Sequence, residues 1–98
     1  MPIQKEITLE ATRLNIIGTF NFLLYQEFLG SIQDPFPGRD YVVDLSQTSF
    51  MDSSALGMLL LLRKQAQENN ARISIINSNS VVRKILYTAN LNRFFDID

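Results

Sequence analysis

From Tyr41 onward the chain alternates short β-branched runs with amphipathic helical stretches, and that alternation admits few folds. Tyr41–Leu45 (YVVDL) and Ala71–Ile76 (ARISII) are apolar runs of the length and composition buried in a sheet. Between them Asp52 or Ser53 opens a helix predicted to run to about Asn69, with Ala55, Met58, Leu59, Leu62 and Ala66 at the i, i+3, i+4, i+7, i+11 spacing of a core stripe. A second helix is predicted to start at Ser78 or Ser80, with Val81, Val82, Ile85, Leu86 and Ala89 on its buried face and Asn90 as a left-handed stop. Leu91, Phe94, Phe95 and Ile97 then suggest a last short strand. Strand, helix, strand, helix, strand in this order calls for right-handed crossovers. The expected fold class is therefore α/β, a mixed and mostly parallel β-sheet with helices packed on it.

The first forty residues complete that sheet. Ile3–Leu9 and Arg13–Ile17 read as two strands joined by a turn at Glu10-Ala11-Thr12, forming a hairpin that Gly18 ends. Asn21 can cap a helix whose residues Phe22, Leu23, Leu24, Tyr25, Phe28 and Leu29 cover one wide apolar side, with Gln26 and Glu27 facing water and Gly30 ending or weakening its last turn. The one turn-rich interruption, Gln33–Gly38, separates two halves of the same unit, and Phe36, set between two prolines, is expected to be partly exposed. A chain of 98 residues with 46% hydrophobic content fits one domain, 1–98, with a single core.

Charge and composition exclude several functions. Nine basic and ten acidic residues scattered along the chain give a formal net charge of -1, without the basic footprint that nucleic acid requires. The lack of Cys removes disulfides and thiolate zinc sites, and the lack of His removes the commonest metal ligand and general base. No metal, cofactor or catalytic residue is expected. The start, MPIQKE, has neither the basic nor the apolar region of a signal peptide, and the longest apolar run, Leu56–Leu62, is far short of the roughly 18–20 residues that span a bilayer. A cytoplasmic monomer without direct membrane insertion is the expectation.

The most informative segment is Asp44-Leu45-Ser46-Gln47-Thr48-Ser49-Phe50-Met51-Asp52-Ser53-Ser54-Ala55-Leu56-Gly57: a buried strand, a short polar loop and an Asp-Ser-Ser cluster at a helix start. Parallel α/β folds place their sites where strand ends feed helix N-termini. The first backbone N–H groups there lack intrahelical partners and the macrodipole is positive, so an added phosphate is tolerated. The same three residues are also what a plain helix cap would use. On the helix that follows, Leu56, Leu60 and Leu61 lie outside the core stripe, and Leu56 and Leu60 would form a partner patch if exposed; Arg63, Lys64 and Glu68 read as a solvated face.

Val43-Asp44-Leu45-Ser46 followed by Phe50-Met51-Asp52-Ser53-Ser54-Ala55-Leu56-Gly57 resembles the signature of STAS domains, in particular the stand-alone anti-sigma factor antagonists of bacteria. Gly18-Thr19-Phe20-Asn21 resembles the family's turn before its first helix, and Leu91, Phe94, Phe95 and Ile97 resemble its closing pattern, so the likeness runs from about Ile3 to Ile97. The resemblance implies a phosphorylated serine at Ser54, with Ser53 the fallback, and a partner face at Asn21, Asp52, Ser53, Ser54, Ala55 and Leu56. It implies that the unmodified protein binds an anti-sigma factor that is also its serine kinase and so frees a sigma factor. Phosphorylation would break the complex and a serine phosphatase would restore it. Three departures from the family pattern stand out. Ala55 replaces a glycine, Thr19 and Asn21 replace acidic residues, and the family's C-terminal helix is not evident after Ile97.

Two other readings compete. One keeps the fold but makes the protein a non-switching subunit or scaffold of a lipid-transport or signalling assembly, with Asp52-Ser53-Ser54 serving only as a cap. The other is an enzyme with a Ser53 or Ser54 nucleophile. Its base would have to be Lys64, Asp44 or Asp52, and Lys64 lies about 15 Å along the same helix at ~1.5 Å per residue, beyond direct proton transfer. A nucleotide site is disfavoured by a loop without the glycines and lysine of a phosphate-cradling motif.

Overall fold

A computed structural model of the protein describes residues 1–33 and 38–98. In chain order its elements are β1 (Ile3–Ile7), β2 (Ala11–Ile16), β3 (Gly18–Phe20), a 3-10 turn (Phe22–Leu24), α1 (Tyr25–Ile32), β4 (Asp40–Asp44), β5 (Thr48–Met51), α2 (Ser53–Glu68), β6 (Ile73–Ile76), α3 (Ser80–Thr88), a second 3-10 turn (Leu91–Arg93) and β7 (Asp96–Ile97). Five strands form one sheet in the order β1-β2-β4-β6-β7. Only β1 is antiparallel to its neighbour; β2, β4, β6 and β7 run parallel. This is the mixed, mostly parallel α/β fold with three helices that the alternation predicts.

The hairpin closes earlier than expected, because Thr8 rather than Glu10 organises the turn. Its N–H and hydroxyl both donate to the Ala11 carbonyl, and its Oγ1 accepts from the Ala11 N–H. Along β2, Thr12, Leu14 and Ile16 are buried while Arg13 and Asn15 face the half-exposed side, the period-2 signature of a strand with one covered face. Phe20, Phe28, Leu14, Ile16, Val43, Leu45, Met51, Leu59, Leu62, Ile75, Val82 and Leu86 make the fully buried core, each worth about 1.5–3 kcal/mol relative to exposure. The stripe of Ala55, Met58, Leu59, Leu62 and Ala66 faces that core, and Asn90 stops α3 at φ 60°, both as expected.

Two strands were not anticipated. Gly18–Phe20 and Thr48–Met51, the latter read as polar loop, pair in parallel as a separate two-stranded sheet. Gly18 sits at φ 88°, a conformation open to glycine, and donates its N–H to Gln47 at the mouth of this pairing. The first helix also differs: the 3-10 turn advances the chain about 120° per residue instead of about 100°, which swings Phe22 and Leu23 out to 64% and 89% exposure. Glu27 is half-buried and accepts the Ile3 N–H at 2.8 Å, and α1 continues through Gly30 to Ile32. On α3, Val81 is exposed and not on the buried face. The expectation for Phe36 falls outside the described residues.

Candidate functional site

The β3–β5 pair brings two helix starts side by side. β3 ends at Phe20 and hands over to Asn21; β5 ends at Met51, opposite Phe20, and hands over to Asp52, whose N–H donates to the Phe20 carbonyl at 3.3 Å. Asn21 accepts the Leu23 N–H at 3.0 Å. Asp52 accepts the N–H groups of Ser54 and Ala55 at 3.0 and 3.3 Å and the Ser54 hydroxyl at 2.5 Å, all on one carboxylate oxygen. That hydroxyl above all, helped by the backbone donors, holds the Asp52 carboxyl below its ordinary range against the opposing effect of desolvation.

A third helix start joins them. Asn79 caps α3 by accepting the Val82 N–H at 2.8 Å, and its amide donates to the carbonyls of Thr48 and Ser49 at 3.1 and 3.3 Å, so α3 is tied to the first residues of β5. Thr48 in turn donates its hydroxyl to the Ile16 carbonyl at 2.7 Å, fixing β5 to the main sheet. The expected caps, Ser78 or Ser80, flank the residue used.

The expected site residues occupy distinct settings. Ser53 is exposed and its hydroxyl has no hydrogen bond among the described residues; Ser54 is half-buried and engaged with Asp52. Asn21 is half-buried. Ala55 is fully buried in the core cluster and presents no surface, which removes it from any contact face. Leu56 is half-buried and lines a surface hollow of about 580 Å³ between α2 and α3, together with Phe50, Val81, Lys84, Ile85, Thr88 and Ala89. Leu60 and Leu61 are exposed at 41% and 39%. With Phe22, Leu23, Phe50 and Val81 exposed as well, the surface around the serines is unusually apolar for solvent contact. Phe50, Val81 and Asn79 were missed by sequence reasoning.

The end of β4 has its own explanation. Asp44 is buried and its carboxylate accepts the Ser46 N–H at 2.9 Å, the Asn77 amide at 3.4 Å and a close contact from the Arg13 guanidinium. Burial pushes the Asp44 carboxyl up, but the hydrogen bonds from Ser46, Arg13 and Asn77 outweigh it and leave the carboxyl below its ordinary value. Asp44 therefore shapes the β4–β5 corner. Among the described residues no group of three or more acidic side chains is placed to hold a metal ion, and no helix is long and apolar enough to cross a membrane.

Comparison with known proteins gives a consistent result. The family model described as "Mlab, STAS domain" matches residues 3–96. A STAS-domain containing protein of Pseudomonas aeruginosa (strain UCBPP-PA14) is 45% identical over 85 residues, covering 86% of this chain and 84% of that protein. Among solved structures, the Bacillus anti-sigma factor antagonist SpoIIAA in its unphosphorylated form superposes with a TM-score of 0.80 at 22% identity, covering 98% of this chain and 87% of that one, and its phosphorylated form superposes at 0.70. A sulfate transporter family protein from Wolinella succinogenes superposes at 0.76 and 12% identity, covering 91% of this chain and 74% of that one.

Proposed function

We propose, from the premise that the chain belongs to the STAS domain family, that it is a one-domain cytoplasmic anti-sigma factor antagonist switched by phosphorylation of Ser54, and not an enzyme. The unphosphorylated protein binds an anti-sigma factor that is also a serine kinase, and so frees a sigma factor. Phosphorylation of Ser54 ends that binding and a serine phosphatase restores it. Asp52, Ser53, Leu56 and Asn21 form the contact face around the switch, and Ser53 is the alternative acceptor.

The observation that carries this reading is the 2.5 Å bond from the Ser54 hydroxyl to Asp52, at a helix start bordered by exposed Phe22, Leu23 and Phe50. A phosphate on that hydroxyl removes the donor and places about -1.5 to -2 charges beside a carboxylate. The helix N-terminus offsets part of the repulsion inside the fold. A partner packed on the apolar surface would have to desolvate the phosphate, and each ~1.4 kcal/mol of that cost is tenfold in affinity. The likeness to SpoIIAA, which has been solved in both phosphorylated and unphosphorylated forms, supports the same reading.

One observation favours a second reading. The Ser54 hydroxyl is already used in capping α2, and the matching family model carries the Mlab description, so a non-switching subunit of a lipid-transport or signalling assembly would use the same surface with Ser54 purely structural. The decisive experiment incubates the purified protein with candidate anti-sigma kinases of its own genome and ATP, reads intact mass, and measures binding of wild type, Ser54→Ala and Ser54→Asp. The switch predicts a phosphate gain that Ser54→Ala abolishes, and loss of binding in Ser54→Asp. No phosphate gain, with Ser54→Asp binding as wild type, establishes the subunit reading instead.

A further inference from the structure

The far end of α2 carries a second hollow that the switch does not use. Arg63 and Gln67 from α2, Arg72 from the link before β6, Arg93 from the second 3-10 turn and Phe94 just after it surround a cavity of about 350 Å³. Thirteen residues of helix, about 20 Å, separate Ser54 from Gln67, so the two sites do not overlap.

Three of the chain's nine cationic side chains meet here, in a protein whose formal net charge is -1. Among the described residues none of the three guanidinium groups has a carboxylate within ion-pair distance, although Asp96 lines the same hollow. Arg63 is held in place by the Phe94 ring, its guanidinium carbon 4.3 Å from the ring centroid. The C-terminal end of α2 contributes partial negative charge, which steadies the arginines but also opposes an anion, so recognition rests on the guanidinium groups themselves.

We infer that this hollow, lined by the three arginines, binds a phosphate ester through their guanidinium groups. Guanidinium matches phosphate bidentately and, being weakly hydrated, gives up water more readily than ammonium. The volume suits a small molecule or a single lipid headgroup rather than an extended chain. Because the contacts are partly solvent-exposed, the affinity expected is on the order of 1 mM.

The test is amide NMR of the full chain titrated at constant ionic strength with inorganic phosphate, with glycerol 3-phosphate and with chloride, alongside sedimentation with vesicles of phosphatidylglycerol or of phosphatidylcholine. The inference predicts saturable shifts at Arg72, Asn92, Arg93 and Phe94 with the phosphates but not with chloride. It also predicts about tenfold weaker binding in Arg93→Gln and Arg63→Gln, and unchanged binding in Lys64→Gln. Asp96→Asn should tighten binding a fewfold, an outcome that general damage to the fold cannot mimic. Saturable binding of the soluble esters identifies a free metabolite; binding only to phosphatidylglycerol vesicles, lost in Arg93→Gln but not in Lys64→Gln, identifies a lipid headgroup. Shifts that fail to saturate, or equal losses in Lys64→Gln and Arg93→Gln, would overturn the inference in favour of diffuse charge attraction.

Discussion

Asn79 joins the third helix start to the strand beneath the serine cluster, and its replacement should be felt in a calculable way. In Asn79→Ala the Val82 N–H loses its cap, worth about 1 kcal/mol. The carbonyl of Thr48, a buried residue, loses its amide donor at 3.1 Å, worth about 0.5–1 kcal/mol in this partly buried setting. The Ser49 carbonyl is exposed to water and adds little. The sum is about 1.5–2 kcal/mol, and at about 4–8 °C per kcal/mol for a domain of this size the melting temperature should fall by roughly 6–16 °C. Asn79→Ser keeps an acceptor for the cap but is too short to reach β5, so it should lose only the tie, about 0.5–1 kcal/mol. Urea denaturation of the two variants beside wild type separates these contributions. The reasoning is refuted if Asn79→Ala lies within about 0.5 kcal/mol of wild type, or if Asn79→Ser is as damaged as Asn79→Ala.

Further consequences can be measured on the same protein. Asp44 has its carboxyl lowered in the folded state, so its contribution is present above the unfolded carboxylate range near ~3.9 and is lost as pH falls through the lower folded value. Asp44→Asn should cost about 1–3 kcal/mol at pH 7, the lower part of that range reflecting the 39% exposure of Arg13, and should flatten the acid limb of stability measured by urea titration from pH 7 to 3; an unchanged slope would count against the assignment. Leu62→Ala, at a fully buried position, should cost about 2–5 kcal/mol, whereas Leu60→Ala, 41% exposed, should stay within about 0.5 kcal/mol by calorimetry. If the proposed anti-sigma partner docks on this surface, Phe50→Ala combined with Val81→Ser should weaken its binding by tenfold or more in titration calorimetry while leaving most of the fold's stability, since both side chains are about half exposed.

The parts of this fold that could be read from sequence are those with enough repeats to establish a period. Helix α2 offers sixteen residues and its stripe was assigned residue by residue, and the β4–α2–β6–α3 alternation was sufficient for the parallel sheet. β3 and β5 offer three and four residues, too few for an alternation to emerge, and their pairing depends on contacts from elsewhere in the chain. The misplaced Phe22 and Leu23 have a local cause, since a single turn of 3-10 geometry shifts the helical phase before α1 begins. The choice of Asn79 over Ser78 or Ser80 is made by tertiary reach to Thr48 and Ser49, which no local pattern encodes. The Asp52-Ser53-Ser54 cluster was legible as a helix start; that Ser54 is engaged with Asp52 while Ser53 has no hydroxyl hydrogen bond among the described residues was not, because both are equally good near a cap.

Three helix starts gathered around β5 explain why charge added there should be read by a partner more than by the fold. Asn21 and Asn79 cap two of them with neutral amides, and only Asp52 brings a carboxylate. A phosphate at Ser54 would therefore lie beside the Asp52 carboxylate at the N–H-rich start of α2. The exposed apolar side chains of Phe22, Leu23 and Phe50 have no such compensation to offer once a partner covers them and the water is gone. The half-buried setting of Ser54 would set a condition on the proposed modifying enzyme. A kinase acting there would have to part the hydroxyl from Asp52, whose same carboxylate oxygen holds the N–H groups of Ser54 and Ala55. A phosphate on that hydroxyl would take one of three donors from the Asp52 oxygen and leave in place the two backbone N–H bonds that cap α2, whose buried stripe anchors the core.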